Sequence, residues 1–266
     1  MPSFVPLRTA IASIEKNEFP TLQDCNRLLE SHQPTITVLS GQPVSFVPQE
    51  YGKLSFESQY EPRCYLRGEV PTRENNWHDL LNALVWATFP NSKAAINARH
   101  YRALIGDENP ATRSQRGAVR DTNTLLDESG VIVACAHDDL AELLRNFQWK
   151  ELFWRQRERV KSGMGFYLFG HGLYEKTLRP YIGMTGQGLI LPVEQAYFDW
   201  PQARQMEHLD QMLAGYLNAD AHCRSTRELT PVPLLGVPGW TPESEVEQFY
   251  DNTNYFRTGR HGHSAS

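Results

Sequence analysis

The stretch Leu80-Leu81-Asn82-Ala83-Leu84-Val85-Trp86-Ala87 is the strongest constraint in the chain. Wound as a helix it is apolar nearly all round, and a helix without a polar face has to be buried. A bilayer cannot supply that burial, because apolar runs such as Ala83–Ala87 fall far short of the roughly 20 residues a spanning helix needs. The chain's own elements have to supply it. With 266 residues, the chain can close a full core around such a helix without metal or disulfide staples. Its 40% hydrophobic and 21% charged residues are ordinary globular usage.

The rest of the chain alternates helical and strand signals. Residues 7–16 and 22–31 read as short helices, the second capped by Thr21. Residues 35–39 and 43–47 alternate around Ser40-Gly41 and predict a hairpin, and 53–58 and 63–67 predict further strands. Asn75-Asn76 can cap a helix from Trp77 to Phe89, which Pro90 ends. Ser92 can cap the next, from Lys93 to Ile105. Residues 106–117 read as a polar loop. Thr122–Leu126 and Val131–Cys135, around Asp127-Glu128-Ser129-Gly130, predict a second hairpin, unless Thr124–Asp127 ends a helix. Helices are expected at 138–147, 150–161, 165–179 and 202–218, a short strand within 186–193, and a last helix from about Trp240, with Thr241 as its cap and Pro242 at its first position. The fold class is therefore α+β, one mostly helical domain over 1–258 with short β-hairpins. A disordered tail is expected over 259–266, with His261 and His263 in it.

Cys25, Cys64, Cys135 and Cys223 are far apart and form no C-x-x-C pair. Four reduced, buried thiols in a reducing compartment are expected. The opening residues Met1–Pro6 lack a basic n-region and an unbroken apolar segment, so a cytoplasmic protein with no membrane partner is expected. The net charge of −5 argues against a general nucleic-acid coat. From Arg63 to Arg120, however, nine basic residues face five acidic ones, a local +4 that leaves −9 for the remainder. That asymmetry points to an anionic ligand, a small molecule or nucleic acid, near the middle of the chain.

The densest polar cluster lies in the same segment. Arg67 to Asp79 packs many hydrogen-bonding side chains in front of the apolar helix. His78 and Asn82 lie one turn apart on it, and Asp79 sits in the first turn, where the dipole favours a carboxylate. The next helix puts Lys93, Asn97 and His100 on one face, with Arg99 and Arg102 beside them. Imidazole with carboxylate suits general-base catalysis or a divalent metal, and arginines suit a phosphate or carboxylate. The plainer reading is a capping network and a solvated helix face. His171 and Glu175, one turn apart, form a weaker acid–base or metal pair. Trp149 to Arg155 mixes aromatic and basic residues and could stack on a base, or simply place its aromatics in the core. No phosphate loop, nucleophile elbow, H-E-x-x-H or dinucleotide fingerprint is present.

Several stretches resemble a bacterial family known only as a domain of unknown function. They are Arg67–Arg73, Asn76–Trp86, Phe89-Pro90, Lys93–Tyr101, Trp149–Phe153 and Phe169–His171. The resemblance covers most of the chain, implies a cytosolic bacterial protein, and brings no activity with it. Asn82–Trp86, Pro90 and Lys93–Tyr101 bear a partial likeness to HNH-type nucleases. Lys93 and Asn97 stand where that helix holds histidine ligands, and His78 opens a helix rather than ending a hairpin.

The leading expectation is a hydrolase acting on an anionic, phosphodiester- or nucleotide-like substrate. His78 is its general base, oriented by Asp79, with His100 as ligand or acid. Asn82 and Asn97 position substrate or water, and Arg73 and Arg99 hold the anion. The alternatives are a non-catalytic nucleotide- or RNA-binding protein using the same residues, and a purely structural network. Metal identity and oligomeric state stay open.

Overall fold

The structure, a computed structural model, describes residues 2–14, 18–106 and 110–259, without the side chains of 110–116. It is a mixed α+β fold, mostly helical. The chain starts with α1 (Arg8–Ser13) and α2 (Leu22–Glu30). Thr21 and Asp24 close a reciprocal capping box on α2, with Asp24 N donating to Thr21 Oγ1 at 3.3 Å and Thr21 N to the Asp24 carboxylate at 2.9 Å.

The first hairpin is reduced to a tight turn. Gly41 takes the left-handed conformation at φ 89°, with a single bridge between Thr37 and Pro43. The chain beyond it, β1 (Ser45–Pro48), pairs in parallel with β2 (Glu69–Thr72) instead. The strands expected at 53–58 and 63–67 are absent. Phe56–Ser58 is a 3-10 turn, and α3 (Tyr60–Arg67) occupies the second stretch. Glu61 in its first turn suits the helix dipole, and Gly68 at φ 72° ends it in the left-handed conformation.

The apolar helix is α4 (Trp77–Thr88), and Leu80 through Ala87 are all buried. Asn76 caps it, accepting from Asp79 N at 3.1 Å. Pro90 does not merely end α4. It opens α5 (Pro90–Ile105), because a first-turn residue needs no N–H. Ser92 is not the cap of α5. That role falls to the buried carboxylate of Asp210, which accepts from Asn91 N at 3.0 Å, Ser92 N at 2.8 Å and Asn91 Nδ2 at 2.8 Å.

The next element corrects the polar loop and the second hairpin together. α6 (Pro110–Ser129) runs through both, and the alternative of a helix ending near Asp127 is the one found. Residues 107–109 of the expected loop lie outside the described residues. β3 (Gly130–Cys135) follows directly and is buried along its whole length. α7 (Asp138–Arg145) comes next, and a π-helical turn, Glu151–Arg155, with α8 (Arg157–Gly163) replaces the continuous helix expected at 150–161.

The helix expected over 165–179 is divided into β4 (Met164–Leu168) and α9 (His171–Thr177). Met164, Phe166 and Leu168 are buried while Gly165 and Tyr167 between them are only partly so, the period of a strand. Gly170 makes the turn possible, since a Cβ there would overlap the backbone of Ser129 and Gly130. β5 (Thr185–Pro192), α10 (Gln202–Asn218) and β6 (Thr230–Pro233) complete the regular elements. The sheet order is β4-β3-β5-β6, with β3 parallel to β5 and the outer pairs antiparallel. The last expected helix is two 3-10 turns, Pro242–Glu245 and Glu247–Asp251.

One core cluster extends from Leu7 to Phe256. It takes in Trp149 and Phe153, so those rings belong to the core and are not free to stack on a base. The four cysteines are free and buried. No helix among the described residues is long and apolar enough to cross a membrane. The tail from residue 260, His261 and His263 included, lies outside the described residues.

Candidate functional site

The first turn of α4, the last turn of α6 and the first turn of α9 meet at one end of the helical layer. There they line a polar cavity of about 360 Å3, open to solvent and bordered also by residues of α3 and α5 and by the segments around Gln49 and Arg73. α6 ends in Asp127 and Glu128. Two carboxylates in a last turn oppose the helix dipole and need compensation. Lys93, buried on α5, supplies part of it: its Nζ is 2.6 Å from Asp127 Oδ1. Burial acts to raise the Asp127 carboxyl, but Lys93, through its charge and its hydrogen bond, together with His171 and His100 holds the group below its ordinary value.

His171 lies against both carboxylates. It is 6% exposed, and its Nε2 lies 3.5 Å from Glu128 Oε1 while its Nδ1 faces Asp127 Oδ2 at 3.7 Å. Burial pushes its pKa down to about 4, so the ring is neutral at ordinary pH. Nδ1 has no hydrogen-bond partner in range. The neighbouring Gly172 brings Glu128 into place, because a Cβ there would overlap Glu128 Oε2. Burial, with the Asp127 charge adding to it against the effect of His78, pushes the Glu128 carboxyl up.

His78 completes the group. Its ring meets that of His171 edge-on at 4.5 Å between centroids. Nδ1 is 3.1 Å from Glu175 Oε2 and Nε2 is 3.8 Å from Glu128 Oε1. Glu175 lies one turn along α9 from His171, so one short helix presents both a cavity imidazole and the carboxylate that orients a second. Among the described residues, His78, Glu128 and His171 have ligand-capable atoms all within 4.8 Å of one another, a spacing that can hold a metal ion.

The structure brings Arg73, His78, Asp79, Asn82 and His100 of the expected site to this cavity. Their partners differ from those expected. The Asp79 carboxylate is engaged by Arg73, through Nε at 2.9 Å, Nη2 at 2.7 Å and the backbone N at 2.6 Å. Burial opposes the Asp79 charge, but Arg73 more than compensates and keeps its pKa low. Asp79 therefore fixes Arg73, and the carboxylate that orients His78 is Glu175. Asn82 donates to Tyr60 Oη at 3.0 Å and leaves its Oδ1 buried and unpartnered.

Asn97 stands one layer behind, donating to the Glu61 carboxylate at 2.7 Å and to the Glu61 carbonyl at 3.0 Å. Glu61 lines the cavity, and burial pushes its carboxyl up. Lys93, Asn97 and His100 are all buried, so their shared face is internal and not a solvated one. Arg99 is the clear correction. It points away from the cavity and donates to the carbonyls of Leu217 at 2.6 Å, His222 at 2.7 Å and Cys223 at 3.2 Å. It ties the end of α10 to α5 and has no free edge for a substrate anion.

The sequence reading missed Glu61, Asp127 and Glu128. The two acids at the end of α6 carried a signal, since an acidic pair resisting a helix dipole needs cations from elsewhere. Asp-Glu-Ser-Gly is also turn composition, and that reading prevailed.

Fold and cavity thus define a mixed α+β protein with a carboxylate-rich polar cavity lined by His78, His100 and His171. The chain belongs to the family described as Protein of unknown function (DUF3025), whose model matches residues 44–260. No curated protein and no solved structure matches it significantly.

Proposed function

We propose that the protein is a hydrolase acting on a small phosphoester or comparable anionic ester in this cavity. The convergence of His78, His171 and Glu128 on one point of the cavity wall carries the reading. The trio holds and polarises a water molecule. Glu61 takes one proton from that water as its oxygen adds to the ester centre, then returns the proton to the leaving oxygen as the ester bond breaks. The net change is one water consumed, one acid and one alcohol formed. A carboxyl raised by burial is suited to both halves of that transfer. Asn97 holds Glu61, and Asn82 Oδ1 offers an acceptor to a substrate hydroxyl or amide. The volume of about 360 Å3 fits a small molecule.

The test is release of nitrophenolate from bis(4-nitrophenyl) phosphate and 4-nitrophenyl phosphate. The full chain should turn over at least one of them, and Glu61→Gln should lose roughly 10²–10⁴-fold in rate with its circular dichroism unchanged. Absence of turnover on both substrates, or a Glu61→Gln rate equal to that of the unaltered chain, contradicts the reading.

A further inference from the structure

We infer that His78, His171 and Glu128 bind a divalent transition-metal cation, with zinc the best match to the donor set and the remaining coordination position open to the cavity. The inference deepens the hydrolytic reading and rests on it for what the cation does there.

Geometry comes first. Bonds of about 2.0–2.2 Å in a tetrahedral site separate the ligand atoms by roughly 3.3–3.5 Å. His171 Nε2 and Glu128 Oε1 are 3.5 Å apart, and His78 Nε2 and Glu128 Oε1 are 3.8 Å apart. The two histidine nitrogens lie within 4.8 Å of each other, so one centre can reach all three after side-chain shifts of about an ångström.

The surroundings of the two rings add an independent argument. A metal-binding histidine usually gives its other ring N–H to a carboxylate, which fixes the tautomer and aims the lone pair. His78 Nδ1 has Glu175 Oε2 at 3.1 Å, which places the proton on Nδ1 and leaves Nε2 facing Glu128. His171 Nδ1 faces Asp127, which Lys93 anchors at 2.6 Å. His78 thus has a carboxylate behind it at hydrogen-bond distance, His171 has one nearby at 3.7 Å, and both rings face Glu128 in front. A capping network needs neither feature, and His171, nine-tenths buried with Nδ1 unpartnered, gains little from the fold alone.

Charge completes the case. Asp127 and Glu128 share one wall with Glu175 behind His78, and Lys93 is the cation paired to Asp127. An anionic substrate approaching that wall meets repulsion, and a divalent cation reverses its sign. Two imidazoles and one carboxylate suit zinc, or iron(II) and manganese, better than magnesium or calcium, which prefer all-oxygen sites. Three protein ligands with one open position are the pattern of a catalytic site, whereas a structural zinc site is closed.

The test titrates chelator-stripped full-length protein with zinc by calorimetry and with cobalt(II) by visible absorption. One site per chain is expected, with the intense visible bands of four-coordinate cobalt. Glu128→Gln and His171→Ala should each weaken zinc binding at least 100-fold. Glu128 is partly exposed, so Glu128→Gln decides the matter if His171→Ala fails to fold. Zinc binding by Glu128→Gln equal to that of the unaltered chain overturns the site, as does the absence of a stoichiometric site. The two proposals fail separately. Stoichiometric binding without turnover of the nitrophenyl esters keeps the site and removes the hydrolase. Turnover undiminished by chelator in a protein without a zinc site does the reverse.

Discussion

Glu175 Oε2 lies 3.1 Å from His78 Nδ1, joining the first turn of α4 to a carboxylate 97 residues further along the chain. Through this contact His78 presents Nε2, and not Nδ1, to Glu128. Glu175 touches no other group of the trio by ion pair, so its role is positioning. Glu175→Gln should keep the fold, because the amide preserves size at a half-exposed site. It should weaken zinc binding by about 10–100-fold, the usual effect of removing such a partner. Calorimetry against the unaltered chain measures this, and equal affinities would remove Glu175 from the account.

Gly172 gives a second positioning test with no change of charge. A Cβ at this position overlaps Glu128 Oε2 and lies close to the Glu128 carbonyl. Gly172→Ala should push the Glu128 carboxylate off the trio while leaving His78, His171 and Glu175 in place. Zinc affinity should fall at least 10-fold, and cobalt spectra should lose intensity as four-coordination is lost. Unchanged spectra would show that the carboxylate is not held where the close approach of α9 puts it.

Arg99→Met separates scaffold from site in the opposite direction. The side chain donates to carbonyls of Leu217, His222 and Cys223 in a buried setting. Removing it leaves those acceptors unsatisfied at a cost of about 3 kcal/mol. At 2–4 °C per kcal/mol for a chain of about this size, Tm should fall by roughly 6–12 °C. Zinc affinity of the folded fraction should not change. A loss of zinc affinity with no change in Tm would reverse the assignment of Arg99.

The thiols give a test of burial by chemistry. Burial pushes Cys25 and Cys223 up to about 11 and raises Cys64 and Cys135 as well. The thiolate is the reactive form, so at pH 8 a thiol of pKa about 11 is ionised to roughly one part in a thousand. Ellman's reagent should find almost no reactive thiol in the native chain and four after denaturation in guanidinium. Raising the pH should increase the native rate, since the thiolate fraction grows with pH below the raised pKa. Rapid native reaction at pH 8 would contradict the packing.

How much of this was legible in the sequence depends on the range of the forces involved. The cap and burial of α4 were readable because Asn76, Asp79 and the run from Leu80 to Ala87 act within a few residues of each other. The cap of α5 was not, because Asp210 supplies it from 118 residues away. The hairpin expected around Asp127 failed for a similar reason. Local composition favours a turn there, and the cation that offsets a carboxylate in that last helical turn is Lys93, 34 residues away on α5. Arg99 shows the limit of grouping by proximity in sequence. Neighbouring residues on a helix point about 100° apart, so His100 faces the cavity while Arg99 faces the end of α10. His171 and Glu175 were visible as a pair one turn apart. Their spacing could not show that one faces the cavity and the other stands behind a different histidine.

The most direct test of the central claim is X-ray diffraction from zinc-soaked crystals of the full chain, with anomalous differences collected across the zinc absorption edge. The account predicts one strong peak at about 2.0–2.2 Å from His78 Nε2, His171 Nε2 and Glu128 Oε1, with the Glu175 carboxylate still on His78 Nδ1. Full zinc occupancy at another place in the chain, or no anomalous peak among these three side chains, would contradict it.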